Sequence, residues 1–269
     1  MMNYKIIALD LDGTLTNSEK VITPKTKEAL MNLQKNGVIV VLASGRPTHG
    51  IRKLEEELEL KKYGGYLLPY NGGQIIECAT GKVLHSQSLP TDVCLQISEL
   101  ARNYYVNLVT YRDDKLICLE KYDMYAKIEA MINDLTIEQP EDLDEELSHF
   151  VVPKFMMLED PDYIVKVEQQ VAPRLARYCE CFCSAPYFLE ICPKGIDKGQ
   201  SMDVLLKHLG LSRKDFVAVG DSFNDLPMIK TAGLGVCMGN GRHEVKAAAD
   251  FVTLSNDEDG IAYMIEKFF

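Results

Sequence analysis

The stretch Lys5-Ile6-Ile7-Ala8-Leu9-Asp10-Leu11-Asp12-Gly13-Thr14-Leu15 constrains the fold more than any other part of the chain. An apolar run of strand length, Ile6 to Leu9, ends in two carboxylates one residue apart, followed by glycine. A strand buried on both faces has this composition, and open α/β sheets place their ligands at the carboxyl ends of such strands. The period of two puts Asp10 and Asp12 on one side if the chain stays extended, and Gly13 permits a turn that a Cβ would resist. Two acids so close repel unless a cation or a proton intervenes. Mg²⁺ suits the pair, because it takes one or two carboxylates and leaves room for a phosphate. A solvated Asp-Gly turn is the plainer reading, and the hydrophobic strand in front of the turn argues against it.

The second constraint comes directly after. Thr23, Pro24 and Gly37 mark the cap, first turn and end of a helix whose stripe is Ala29, Leu30 and Leu33. A second buried run, Val38 to Ala43, leads into Ser44-Gly45-Arg46-Pro47. Strand, helix and strand at this spacing form a βαβ unit with parallel neighbours, so Ser44 emerges beside Asp10. A helix around Thr48 to Leu60 and the run Gly65 to Gly73 extend the pattern.

From Lys82 the texture changes to hairpins and helices. Helices are expected over Thr91 to Tyr104, Asp123 to Asp134 and Pro161 to Ala176. Strands are expected over Lys82 to Ser88, Val106 to Tyr111, Lys115 to Glu120, Lys154 to Leu158, Cys179 to Cys183 and Tyr187 to Cys192. The acidic run Glu138 to Glu146 reads as a solvated face. Parallel α/β texture resumes with a helix over Lys198 to Leu209, capped by Asp197. The strand Phe216 to Val219 follows, running into Gly220-Asp221-Ser222-Phe223-Asn224-Asp225. Leu234 to Met238, Phe251 to Leu254 and a helix from Asp257 to Lys267 complete it. The fold class is therefore α/β, a Rossmann-like parallel sheet with helices on both faces and an inserted α+β domain. The expected division is core over 1–81, insertion over 82–192 and core over 193–269.

Composition narrows the function. The chain has 269 residues, 46% hydrophobic and 26% charged, with a net charge of −11. That balance opposes phosphate-backbone binding, so no nucleic acid is expected. An anionic substrate must then meet a local positive site. Eight cysteines without paired CxxC spacing imply reduced thiols and a cytoplasmic location. Nothing resembles a signal peptide, and no apolar run nears the roughly 20 residues that span a bilayer. No membrane association and no obligate protein partner are evident. Cys179, Cys181 and Cys183 alternate on one strand face, which suits core packing better than a tetrahedral zinc site.

A parallel sheet gathers Asp10, Asp12, Ser44, Lys198, Asp221, Asn224 and Asp225 at one rim. Asp10 and Asp221 can hold Mg²⁺, while Lys198 with the metal neutralises a phosphoryl group. Ser44 and Asn224 can donate to its oxygens, joined by the amides of Leu11 and Gly45.

These four elements, in this order, resemble the haloacid dehalogenase superfamily of phosphatases. Asp10-Leu11-Asp12-Gly13-Thr14 is similar to its first motif, and Ala43-Ser44-Gly45-Arg46 to its second. Lys198 stands at its third, and Gly220-Asp221-Ser222 with Asn224-Asp225 at its fourth. Ser44-Gly45-Arg46-Pro47, Asn71-Gly72 and Gly195-Ile196-Asp197-Lys198-Gly199 narrow the resemblance to the Cof-type phosphatases, whose large cap is inserted between motifs two and three. Gly73 stands where that type often has Ala. The resemblance implies that Asp10 is the nucleophile and forms an aspartyl-phosphate. It implies that Asp12 is the acid and base, with its backbone carbonyl in the metal shell. For that role Asp12 must hold a proton near neutrality, which the charges of Asp10 and Asp221 favour. Asp225 orients Lys198 or a metal-bound water, Thr14 and Arg46 support the site, and Lys194 is a competitor for the role of Lys198. The expected activity is Mg²⁺-dependent hydrolysis of small phosphorylated metabolites, foremost sugar phosphates, with no organic cofactor. A phosphomutase and a non-catalytic phosphometabolite-binding regulator are the alternatives.

Overall fold

The computed structural model describes residues 4–269. They divide into two compact units. One comprises residues 4–45 with Ile51–His85 and Asp197–Phe269; the other comprises Arg46–Gly50 and Ser86–Ile196. The second unit thus begins at Ser86 where the sequence suggested 82, ends at Ile196 where it suggested 192, and includes a short segment just after Gly45.

In chain order, the strands of the first unit begin with β1 (Ile6–Leu9), β2 (Ile39–Ala43), β3 (Tyr66–Leu68), β4 (Gln74–Glu77) and β5 (Val83–Ser86). The second unit carries β6 (Asn107–Arg112), β7 (Lys115–Cys118), β8 (Thr136–Glu138), β9 (Phe155–Leu158), β10 (Cys179–Ala185) and β11 (Phe188–Pro193). The chain then returns to the first unit with β12 (Phe216–Gly220), β13 (Leu234–Cys237) and β14 (Phe251–Val252).

The first sheet has the order β14-β13-β12-β1-β2-β3-β4-β5. It is parallel from β14 to β3, and β4 turns back antiparallel to β3. Strand β1 lies centrally, with Ile6 to Leu9 paired to Phe216–Val219 on one side and Ile39–Leu42 on the other. The alternation of side chains sorts the core into two layers. Ile7, Leu9, Val40, Leu42, Val217 and Val219 pack under the helices Pro24–Lys35, Thr48–Glu57 and Gly260–Phe268. Ile6, Ala8, Val41, Phe216 and Ala218 pack under Lys198–Leu209, Leu226–Thr231 and His243–Ala248. This two-sided burial is why these strands are continuous apolar runs.

Helix signals act as expected. Thr23 caps the first helix by accepting from Thr26 N at 3.3 Å. The helix expected over Thr48 to Leu60 is broken: Glu59 takes a left-handed φ of 50°, and a short turn Leu60–Tyr63 follows. The final helix starts at Gly260 instead of Asp257, because Asp259 is left-handed at φ 57°.

In the second unit the sheet order is β10-β11-β9-β6-β7-β8. All pairs are antiparallel except β7 with β8. The helices Thr91–Asn103, Leu143–Leu147 and Pro161–Leu175 share one apolar cluster with Leu108, Ile117, Phe155, Met157, Leu189 and Ile191. The acidic run presents Glu141, Asp142 and Glu145 to solvent, as a solvated face does. It starts at the last residue of β8 and runs into the helix Leu143–Leu147, which buries Leu143 and Leu147, while Glu138 pairs with Arg112 at 2.8 Å and also with Lys115. Cys179 is buried in the cluster, and Cys181 and Cys183 pack against it. Burial pushes their thiols up to about 11, 12 and 11 in that order. Among the described residues, no helix is long and apolar enough to cross a membrane.

Candidate active site

The rim formed by the carboxyl ends of β1, β2 and β12 carries the chemistry. Asp10 extends β1 by donating its amide to Val219 O at 3.0 Å. The chain then turns, with Thr14 N and Thr16 N both donating to Leu11 O. Gly13 makes the turn at φ 84°, and a Cβ there would lie 2.8 Å from Asp221 Oδ2. Both conformation and space therefore require glycine between the two acidic loops. Thr14 Oγ1 donates to Asp221 Oδ1 at 3.2 Å, joining the loop after β1 to the loop after β12.

Lys198, the first residue of its helix, is fully buried. Its Nζ donates to Asp10 Oδ1 and to Asp225 Oδ1, both at 2.6 Å. The other oxygen of Asp225 accepts from the amides of Asp221 and Ser222 at 2.9 and 3.0 Å. Asp225 thus binds both Lys198 and the loop that follows β12. Lys194 lies in the second unit, where its Nζ donates to Ala176 O at 2.9 Å.

Electrostatics follows from this crowding. Burial and the charge of Asp225 push Asp10 up to about 8, against the pull of Lys198. Burial and Asp225 also raise Asp221, opposed by Thr14 and Lys198. For Lys198 burial works downward, but Asp10 and Asp225 outweigh it and hold the ammonium charged. Carboxylate oxygens of Asp10, Asp221 and Asp225 lie within 4.8 Å of one another. Three carboxylates against one ammonium leave two negative charges uncompensated, and an all-oxygen donor set with that surplus fits a hard dication such as Mg²⁺. Both Asp225 oxygens are hydrogen-bonded, whereas Asp10 and Asp221 are bonded through Oδ1, to Lys198 and Thr14.

Ser44 is buried at the end of β2, its amide donating to Leu68 O at 3.0 Å. Its carbonyl accepts from Asn71 N at 2.8 Å. Gly45 follows, and a Cβ on it would approach Asn71 Oδ1 to 3.3 Å. Asn224 Nδ2 donates to that same Oδ1 at 3.0 Å. Asn71, read in the sequence only as part of a family signature, therefore ties the loops after β2 and β12 together. Its signal was the Asn-Gly dipeptide after a buried strand. Tyr70, Asn71 and Gly72 are left-handed in succession, at φ 55°, 57° and 93°, a costly arrangement concentrated at the site.

Two residues depart from the expected cluster. The Asp12 carboxylate is turned to Lys20, whose Nζ donates to Oδ1 at 2.9 Å. Sequence gave no hint of Lys20, which sits in the following loop with a left-handed φ of 62°. Arg46 belongs to the second unit, where Nη1 donates to Gly50 O at 3.2 Å.

A parallel α/β sheet with carboxylates and a buried lysine at its carboxyl rim defines an enzyme site for phosphoryl chemistry. A family model described as haloacid dehalogenase-like hydrolase matches residues 7–265. A haloacid dehalogenase-like hydrolase of Bacteroides thetaiotaomicron is 42% identical, with TM-score 0.95, covering 99% of this chain and 100% of its own. The 5-amino-6-(5-phospho-D-ribitylamino)uracil phosphatase YcsE of Bacillus subtilis is 31% identical, over 99% of this chain and 96% of its own. The subclass IIB sugar phosphatase BT4131 is 26% identical, with TM-score 0.81, over 98% of both chains. The chain belongs to the haloacid dehalogenase-like hydrolase family, as one of its phosphatases.

Proposed function

We propose that the chain is a Mg²⁺-dependent phosphatase of small phosphorylated metabolites, foremost sugar phosphates, acting through an aspartyl-phosphate on Asp10. The Asp10–Lys198 pair carries this reading: a carboxylate only 6% exposed, at a strand end, held 2.6 Å from a buried ammonium. When bound by Asp10, Asp221 and the Asp12 carbonyl, Mg²⁺ would neutralise charge on the transferring phosphoryl group.

Lys198, Ser44, Asn224 and the amides of Leu11 and Gly45 hold the phosphate oxygens. An Asp10 oxygen attacks phosphorus as the bond to the leaving oxygen breaks, and Asp12 gives that oxygen its proton. Asp12 then takes a proton from water, whose oxygen attacks phosphorus and releases phosphate, restoring Asp10. Asp12 must leave Lys20 to do this. The substrate is a small molecule; the charge of −11 speaks against nucleic acid. Eight free thiols suit a reducing compartment such as the cytoplasm.

The test is a phosphate-release screen over phosphorylated metabolites and p-nitrophenyl phosphate, with Mg²⁺ or chelator, for wild type and Asp10→Asn. The expected outcome is release that needs Mg²⁺ and falls at least ~10⁴-fold in Asp10→Asn. Release that persists in chelator, or in Asp10→Asn freed of contaminants, overturns the mechanism. An isomerised ester in place of free phosphate redirects it to a mutase.

A further inference from the structure

The loop that carries Asp12 is held from outside by side chains that none of the chemistry above uses. Asp12 and Thr16 lie beside one another in a short bridge. The chain then doubles back, with Asn17 N donating to Val21 O at 3.0 Å and Lys20 N to Asn17 O at 2.9 Å. Two carbonyls of this loop are taken by amides from far along the sequence. Asn240 Nδ2 donates to Gly13 O at 2.8 Å, and Asn256 Nδ2 donates to Thr16 O at 2.9 Å. Asn240 Oδ1 accepts from Asn256 N at 3.0 Å, so one chain of bonds links the two amides and fixes which way Asn240 is turned. Asp257 adds a third tie, accepting from Ser18 N at 2.8 Å and from Ser18 Oγ at 2.7 Å.

The backbone that presents Asn240 is closely fitted. Asn240 follows β13 between two glycines that have no room for a Cβ. On Gly239 it would lie 2.8 Å from the backbone of Leu254 and Ser255, and on Gly241 it would lie 2.5 Å from Cys237 Sγ. Gly239 N donates to Leu254 O and Arg242 N to Asp221 O, both at 2.9 Å. The Asn240 turn is thereby joined to the segments after β14 and β12. Every one of these groups lies in the first unit.

The points of attachment give the ties their meaning. Gly13 follows Asp12 directly and Thr16 is its bridge partner, so Asn240 and Asn256 hold the backbone on both sides of Asp12. With that backbone pinned, the carboxylate moves only by rotation about its own side-chain bonds. A proton donor must come within hydrogen-bond reach of the leaving oxygen, and a misplacement of about 1 Å costs on the order of 10²-fold. Asn240 and Asp257 are exposed, and exposed polar side chains contribute little to global stability. Bonds of this kind, converging on a single loop, serve the placement of that loop.

We propose that Asn240 and Asn256, aided by Asp257, are positioning residues that clasp the Asp12 loop and set the proton-transfer geometry of Asp12. The assignment rests on the phosphatase reading.

The experiment compares wild type, Asn240→Ala, Asn240→Asp and Asn256→Ala in the full chain, using the polyol ester D-ribitol 5-phosphate and the aryl ester p-nitrophenyl phosphate. A polyol alkoxide needs a proton in order to leave, whereas p-nitrophenolate leaves without one. Each variant should lower the ratio of kcat/KM for the polyol ester to that for the aryl ester about tenfold, as loss of one hydrogen bond implies. Asn240→Asp keeps the bond from Asn256 N but sets an oxygen against Gly13 O, so its ratio should fall at least as far as that of Asn240→Ala. Amide hydrogen exchange over residues 12–20 should quicken about tenfold in the same variants and stay unchanged elsewhere. An unchanged ratio, parallel loss on both esters, or exchange that is unchanged or quickened throughout the chain overturns the clasp, and so does failure of all three variants to fold. If wild type does not turn over both esters, exchange alone decides: quickening confined to the loop sustains the clasp. Release from neither ester is the separate failure of the phosphatase reading.

Discussion

Two buried lysines, one in each unit, sit in networks that look alike and are charged differently. Lys198 meets Asp10 and Asp225 at 2.6 Å with Asp221 close by, leaving negative charge in surplus. Lys154 meets Glu190 at 2.8 Å, and burial raises the nearby Glu129 against the pull of Lys154. Both lysines stay protonated because carboxylates outweigh the burial that opposes them. The difference lies in what each network still lacks. The first calls for a cation; in the second, Lys154 and Glu190 answer one another.

Replacing each lysine tests that contrast. Lys198→Met should lower phosphate release from aryl and polyol esters alike, by about 10³-fold, because a donor aimed at the phosphoryl group is lost from every substrate. Lys154→Met, in a network that none of the catalytic groups belongs to, should leave kcat/KM for every ester within about threefold of wild type. It should also cost ~3 kcal/mol of stability in denaturant titration, since Glu190 is left buried and unpaired. Adding Glu190→Gln should return part of that stability. Equal kinetic signatures for the two single variants would erase the distinction.

The charge surplus also predicts a pH dependence of stability. Asp10 is raised to about 8 in the metal-free protein, and Asp221 is raised as well. A carboxyl raised on folding contributes stability that is present below its unfolded value and lost as pH climbs through the folded one. In chelator, Tm should therefore fall between about pH 4 and pH 8. Mg²⁺ should raise Tm more at pH 8 than at pH 5, since a cation favours the ionised pair. A Tm rise that is flat with pH would mean that the surplus is compensated in another way.

The smallest effect belongs to Lys20. Lys20→Met frees Asp12 from its ion pair, and an exposed pair of this kind is worth under ~1 kcal/mol. A change in kcat of no more than about fivefold is expected. A tenfold fall would make Lys20 part of the machinery instead of a resting partner of Asp12.

Much of the first unit was legible because its signals are local. Ile6 to Leu9, Val40 to Ala43 and Phe216 to Val219 are apolar on both faces, and their polar ends mark the rim. Helix breaks at Glu59 and Asp259 were not legible, since a left-handed acidic residue leaves no mark in periodicity. Strand β4 was missed because Asn71-Gly72 was read as a signature and not as a turn. In the second unit, Leu143 and Leu147 were hidden among acids, although their spacing of four is helical. The helix Met124–Asn133 was legible as a helix but not in orientation. Apolar periodicity points a helix inward, and here Glu129 and Asn133 hold that place. Pairings such as Lys20 with Asp12 depend on loop geometry, which residue patterns do not encode.

The central position of β1 has a consequence for how the chain is made. Asp10 and Lys198 are 188 residues apart, and β12, which covers one edge of β1, begins only at Phe216. At ribosomal speeds of about 5–20 residues per second, that separation is on the order of 10–40 s. Throughout that interval the growing chain carries a wholly apolar strand with one edge unpaired, and the buried Asp10 without its ammonium. The nascent polypeptide is then exposed to misassembly at the strand later placed in the middle of the sheet.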